Sequence, residues 1–291
     1  MHITMAGKLG SGKSTIARLL NERHGFEIYS TGKIQRELAR QFGVSTLEMN
    51  QMMSQDTKYD HMIDDEVTRI SIERASDKLL FDSRMAWHFA KNTFKVFFTI
   101  DPQIAAMRVM KDPRGAEETY ADVAEAREKL ILRSLVENER FKQIYGTDNL
   151  SYANYDLIVD TSYETPDNIC NLIYGEYEKF CADPETYGRR MYFSPKSLYP
   201  TADTDAICAM EYNGDTDARV DVVCVHNYNF IVSGHESVLN ALVKHESYIR
   251  AWLPEQIDTD KLDSMIEQSG VNGMKLFEEI GGFTYPSYPK I

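Results

Sequence analysis

The chain opens on an apolar run, residues 1–6, that breaks into a glycine-rich turn. Behind the turn, "STIARLLNERHG" sets Ile16, Leu19 and Leu20 at helical spacing, and Gly25 stops the helix. "FEIYS" then reads as a short strand and "GKIQRELARQFG" as a helix ending at Gly43. "STLEMNQMMSQD" opens on a cap residue and predicts a helix, as does "YDHMIDDEVTRISIERAS". "KLLFDSR" is a strand that ends in charge. "FKVFFTID" is almost continuously apolar, the pattern of a strand buried on both faces. "PQIAAMRVM" is a helix with proline in its first turn. A charged helical stretch runs from Glu117 to Tyr145. The strand "YDLIVDTS" and the amphipathic helix "TPDNICNLIYGEYEKFCA" follow. Alternation of strands and helices over about 180 residues predicts an α/β fold, a three-layer parallel sheet with helices on both faces.

The pattern shifts near "DPETYGRRMYFSP". A boundary near residue 187 divides the chain into 1–187 and a smaller α+β portion, 188–291. In the latter, "RVDVVCVHNYNFIVSG" predicts two strands joined by Asn227-Tyr228-Asn229. "HESVLNALVKH" is a helix, "YIRAWL" a strand, and the tail a helical appendage. No internal repeat or low-complexity segment interrupts the reading.

Composition narrows the picture. The 291 residues suit one or two domains, and 43% hydrophobic with 26% charged residues is ordinary for a soluble chain. No apolar run is long enough to span a membrane, and the N-terminus lacks a basic stretch, a secretory segment and a cleavage site. A cytoplasmic protein with no membrane partner is expected. The formal net charge of −13 argues against a nucleic-acid partner, which needs a basic footprint, but leaves room for one small phosphate pocket. Cys170, Cys181, Cys208 and Cys224 form no CxxC pair and read as reduced thiols. The oligomeric state stays open, with the C-terminal portion as a candidate for contacts.

The first turn carries chemistry. Gly7, Gly12, Lys13 and Ser14 fit G-x-x-x-x-G-K-[ST], between a strand and a helix as that motif requires. With Gly10, Ser11 and Thr15 they form a phosphate cradle for ATP or GTP. Glycines turn backbone N–H groups inward, Lys13 brings positive charge to the transferred phosphate, and the Ser14 hydroxyl is a ligand for Mg²⁺. The helix N-terminus adds dipole attraction. The motif alone does not separate a kinase from a motor or a switch.

A phosphate acceptor needs a second site. Arg36, Arg84, Arg108, Arg133 and Arg140 are candidates, because guanidinium groups grip phosphate bidentately and stay charged. Positioning and charge neutralisation carry such a transfer. Asp82 ends a strand two residues before Arg84, at the sheet edge where ligands of open parallel sheets bind, and is placed to orient Mg²⁺.

Six stretches in order, "ITMAGKLGSGKSTIARLL", "YSTGKIQRELA", "LLFDSRMAWHF", "FKVFFTID", "RSLVENERFKQIYGTD" and "NYDLIVDTS", resemble the cytidylate kinase branch of the nucleoside monophosphate kinases, in its short archaeal-type form. The resemblance implies ATP as donor, Mg²⁺ as cofactor and CMP or dCMP as acceptor. It implies that Arg36 and Arg84 hold the acceptor phosphate and that Arg108 opens the lid and faces the transferring group. Arg133 and Arg140 would close over both nucleotides, and Glu137 between them would read the base. Gly146 and Asp148 match the segment after the lid. The chain departs from the family pattern at Lys33, where an acidic residue is usual, and at Asp82-Ser83-Arg84, commonly Glu-Gly-Arg, with Trp87-His88 following. His61, Asp64 and Asp65 are further candidates to approach the acceptor. His61, Asp65 and Arg127 read as solvated helix charges. The departures leave open a kinase of another small metabolite, and the motif leaves open a nucleotide-dependent switch.

The C-terminal portion resembles the ParB/sulfiredoxin-like domain, in which a strand runs into Gly-His-His-Arg at a helix start. Here the residues are Gly234-His235-Glu236-Ser237. Loss of the arginine and gain of a carboxylate weaken an anion site. The resemblance therefore implies a degenerate regulatory, docking or oligomerising unit, with His235 a structural cap.

Overall fold

The computed structural model describes residues 1–44, 48, 58–111, 120–202, 205, 207, 218–255 and 259–286. The helix expected in "STLEMNQMMSQD" lies outside them, apart from Glu48. In order, the first part consists of β1 (His2–Gly7), α1 (Lys13–His24), β2 (Glu27–Ser30), α2 (Thr31–Phe42), α3 (Lys58–Glu73), β3 (Leu79–Asp82), a single turn α4 (Ala86–Phe89), β4 (Thr93–Thr99), α5 (Pro102–Lys111), α6 (Val123–Tyr145), β5 (Leu157–Asp160) and α7 (Pro166–Ala182). Beyond them come β6 (Arg190–Phe193), β7 (Leu198–Pro200), β8 (Asp221–Val225), β9 (Tyr228–Ser233), α8 (His235–Val243), β10 (Ile249–Ala251) and α9 (Thr259–Gly281).

Seven strands form one sheet in the order β10-β6-β5-β4-β1-β3-β2, parallel except for β10, which runs antiparallel to β6. Alternate side chains divide its two faces, as a period of two demands. Ile3, Met5, Phe94, Val96, Phe98, Leu157 and Val159 face one core with α1 and α7. On the opposite face, Phe81 and Leu79 meet α2 and α3. Further along that face, Ala6, Phe97, Ile158 and Phe193 meet Val223 and Phe230 of β8 and β9, Val238 of α8 and Phe277 of α9. The α/β architecture read from the sequence is the one observed.

The portion after residue 187 is joined closely to the rest. Its β6 and β10 extend the main sheet, and its second sheet, β7-β9-β8, packs into a core shared with Phe97 and Ile158. The turn between β8 and β9 differs from expectation. It is the two-residue turn His226-Asn227, with φ of 46° and 70°, and Tyr228 and Asn229 already belong to β9. Two successive positive φ values match the right-handed twist of a tight hairpin, and Asn tolerates them best after glycine.

Candidate active site

The phosphate loop follows from two steric facts. Gly7 ends β1 against β4, and a Cβ there would lie 2.4 Å from the carbonyl oxygen of Phe98. Gly12, at φ 79°, precedes α1 without a side-chain cap, so the first N–H groups of α1 are left for a ligand. Ser11 Oγ donates to the Lys8 carbonyl at 2.7 Å, and Lys13 Nζ folds back onto the Gly7 carbonyl at 3.2 Å.

Three adjoining cavities open at the carboxyl ends of the strands, and Arg84 lines all of them. One of about 670 Å³ is walled by Gly10, Gly12, Thr15, Arg108 and Arg133. One of about 210 Å³ holds Ser11, Lys13, Ser14, Thr31 and Asp82. The third, about 370 Å³, lies under α6 and is lined by Ile63, Asp64, Met85, Glu137, Arg140 and Tyr145. Arg84 forms an ion pair with Glu137. Burial and the nearby Arg133 push its guanidinium down to about 10, against the pull of Asp82. It remains a cation at neutral pH.

Arg108 donates to the carbonyls of Thr161 (2.6 Å) and Ser162 (3.1 Å), which holds α5 to the corner after β5. That corner is fixed by Asp160, a fully buried carboxylate accepting from the N–H groups of Ser162 and Ser194, both at 3.0 Å, and from the hydroxyls of Ser162 and Ser197. Burial raises its pKa and the four donors act against that rise.

A model of the cytidylate kinase-like family matches residues 2–163, more than half of the chain. The chain belongs to that family. It is 28% identical over 202 residues to a cytidylate kinase of Thermoplasma acidophilum, a match covering 68% of this chain and all of that relative. It is 29% identical over 179 residues to an S-adenosylmethionine-dependent nucleotide dehydratase of Lacinutrix mariniflava, covering 61% of this chain but only 36% of that much longer protein. Among solved structures, it is similar to shikimate kinase from Bacteroides thetaiotaomicron, with TM-score 0.44, 12% identity and coverage of 61% and 98% of the two chains. Membership makes the protein a P-loop kinase, an ATP-dependent phosphotransferase. No helix among the described residues is long and apolar enough to cross a membrane.

Against this cytidylate kinase-like frame, the structure gathers most of the anticipated side chains. Lys13, Ser14, Asp82, Arg84, Arg108, Arg133, Glu137 and Arg140 all line the three cavities. Ser14 and Asp82 share one of them, and a hydroxyl with a carboxylate is the hard-oxygen donor set that suits Mg²⁺; an ion held there would neutralise phosphate charge. Arg36 is the exception. It stands exposed on α2, outside these walls.

Lys33, a departure from the family pattern, turns away from the acceptor side. Its Nζ pairs with Glu27 at 3.0 Å and lies 3.8 Å from the Tyr29 ring centroid. His61 and Asp65 are exposed, as expected of a solvated face, and Arg127 reaches Gln103 on α5. Asp64 is buried instead and accepts from the Tyr145 hydroxyl at 2.6 Å. Sequence reading missed Tyr145 and Phe141. Their four-residue steps from Glu137 put all three on one face of α6, which was the available signal. Gly146 ends α6 in the left-handed conformation, and Asp148 braces the loop by accepting from Asn138 and Leu150.

In the C-terminal portion, His235 is 2% exposed, and its Nε2 accepts from the Thr201 N–H at 3.1 Å. Burial drives its pKa from 6.5 down to about 4. Between those values the unfolded chain binds a proton that the folded chain refuses, so stability falls as pH falls through this window. The gap corresponds to about 3 kcal/mol. His235→Gln, which keeps an acceptor without titrating, is expected to lose about 2 kcal/mol less than the wild type between pH 7 and 4.5. Denaturant unfolding at both pH values checks this, and equal losses would refute it.

Proposed function

We propose that the protein transfers the γ-phosphate of ATP to CMP or dCMP. The observation that carries the reading is the position of Arg84. It forms a common wall between the donor cavities, with Lys13 and Arg133, and the cavity holding Asp64 and Glu137. A switch needs one phosphate site, whereas this layout supplies guanidinium groups on both sides of the transferring group. ATP lies along the phosphate loop and the acceptor under α6, with Arg140 over it. Two carboxylates in the acceptor cavity favour a base that offers an amino group at C4, as cytosine does, and oppose one that places a carbonyl oxygen at C4, as uracil does. The C-terminal portion, ParB/sulfiredoxin-like in sequence, is read as lacking a second phosphate site. The inward, bonded His235 and the neighbouring Glu236 support that.

The test is ADP release from ATP and Mg²⁺ with CMP, dCMP, UMP, AMP, GMP and no acceptor. CMP or dCMP is expected to exceed the others by at least about tenfold in kcat/KM. No rise above the blank with any nucleotide would end the monophosphate kinase reading. UMP matching CMP would end the carboxylate account of the base. Asp64→Asn is expected to raise the KM for CMP about tenfold and leave that for ATP unchanged.

A further inference from the structure

Residues beyond 187 bond to the phosphate loop and to the carboxyl ends of β4 and β5. Lys8, within the phosphate loop, is 6% exposed, and its Nζ donates to the main-chain carbonyl of Asn227 at 2.7 Å. At the end of β4, Thr99 Oγ1 is 3.0 Å from the Tyr152 hydroxyl, which donates to Asn229 Oδ1 at 2.7 Å. Just past β4, Asp101 accepts from the Tyr199 hydroxyl at 2.6 Å, and it also caps α5 through the N–H groups of Gln103 and Ile104. At the end of β5, Asp160 is held by Ser194 and Ser197.

Lys8 makes the most consequential of these contacts. Its main chain closes the loop: its N–H donates to Phe98, and its carbonyl accepts from Ser11. Its side chain ties that same closure to the β8–β9 turn, 219 residues away in sequence. Asn227 of the turn also lines a small cavity with Leu9 of the phosphate loop and Leu130, Ile131 and Ser134 of α6. A buried amine with a carbonyl at 2.7 Å is a fixed strut, since losing either partner leaves the other unpaired and dry.

We propose that the β8–β9 turn braces the phosphate loop and that Lys8 is a positioning residue for the donor nucleotide, acting through Asn227. The proposal rests on the donor-site reading above. The carbonyl of Asn227 is aimed by the positive φ of the turn, and the amides of the loop take their places from Lys8. The C-terminal portion thereby serves the N-terminal site.

The experiment is calorimetric titration of the full chain with ATP and Mg²⁺, paired with steady-state kinetics in both substrates. Lys8→Met is expected to raise the Kd and KM for ATP about tenfold and leave the KM of the acceptor within twofold. Lys8→Arg, which retains a donor, should recover most of the ATP affinity. An unchanged ATP Kd in folded Lys8→Met overturns the brace. So does an equal loss for ATP and acceptor, which would mark a merely structural role. If Lys8→Met does not fold, Asn227→Ala decides from the other side. Strain at φ 70° would displace the carbonyl and raise the ATP KM about threefold, with the acceptor unaffected. No ATP-selective change there overturns the proposal equally. Failure of the wild type to bind ATP would strike the donor-site reading itself, a separate outcome.

Discussion

Arg84→Ala should cut kcat/KM for the acceptor by roughly 10³-fold and leave the Kd for ATP within about threefold. The size of the effect follows from where the side chain stands. Arg84 borders all three cavities, so under the proposed function its guanidinium faces both the donor and the acceptor phosphates. Its charge is balanced by Glu137 from α6 and by Asp82 beside it. Alanine removes the grip on phosphate and leaves those carboxylates facing an incoming anion. The phosphate-loop amides and Lys13 remain in place, so ATP binding survives. Lysine should restore little, because a point charge does not reproduce a planar fork between two oxygens. Initial rates with the acceptor varied, beside calorimetric ATP titration, make the check. A matching loss of ATP affinity would sink the assigned role.

Lys13→Met should lower kcat by roughly 10²–10³-fold while the melting temperature moves little. Lys13 Nζ rests 3.2 Å from the Gly7 carbonyl in a half-buried position. That bond contributes only about 1 kcal/mol to the fold, since water can replace the lost partner. Under the proposed function the same amine meets growing charge on the transferring phosphoryl group in the transition state. Single-turnover rates at saturating ATP and acceptor, with thermal unfolding of the same preparation, separate the two quantities. A fall of many degrees in melting temperature would show that Lys13 serves the fold first.

The layout of the site was legible wherever local rules act. Apolar runs buried on both faces fixed β1 and β4, and Gly25, Gly43 and Gly146 each end a helix in the left-handed conformation. The G-x-x-x-x-G-K-S spacing placed Lys13 and Ser14 without any tertiary knowledge. What the sequence hid depends on contacts between distant segments. Lys33 read as an acceptor-side change because its neighbours in sequence lie there, yet Glu27 and the Tyr29 ring hold it elsewhere. Arg36, read onto the acceptor phosphate, stands exposed on α2, although Ile34 and Leu38 of the same turn are buried. Asp64 was set apart from the solvated His61 and Asp65, but helical periodicity does not say what covers it; Tyr145, 81 residues on, does. The hairpin turn was displaced by one residue, since two asparagines flank Tyr228 and only the first takes positive φ.

The edge order of the main sheet also bears on how the chain comes to be assembled. Strands β6 and β10 lie outside β5, and β10 ends at Ala251. A nascent chain that has emerged only as far as α7 holds a complete phosphate-loop sequence. Its fifth strand, though, still has an open row of N–H and C=O groups, and Lys8 has no carbonyl to meet. Pairing with β6, residues 190–193, covers that edge, and β10 in turn covers β6, so a chain that has emerged no further than α7 leaves β5 an unprotected edge that a second nascent chain can pair with.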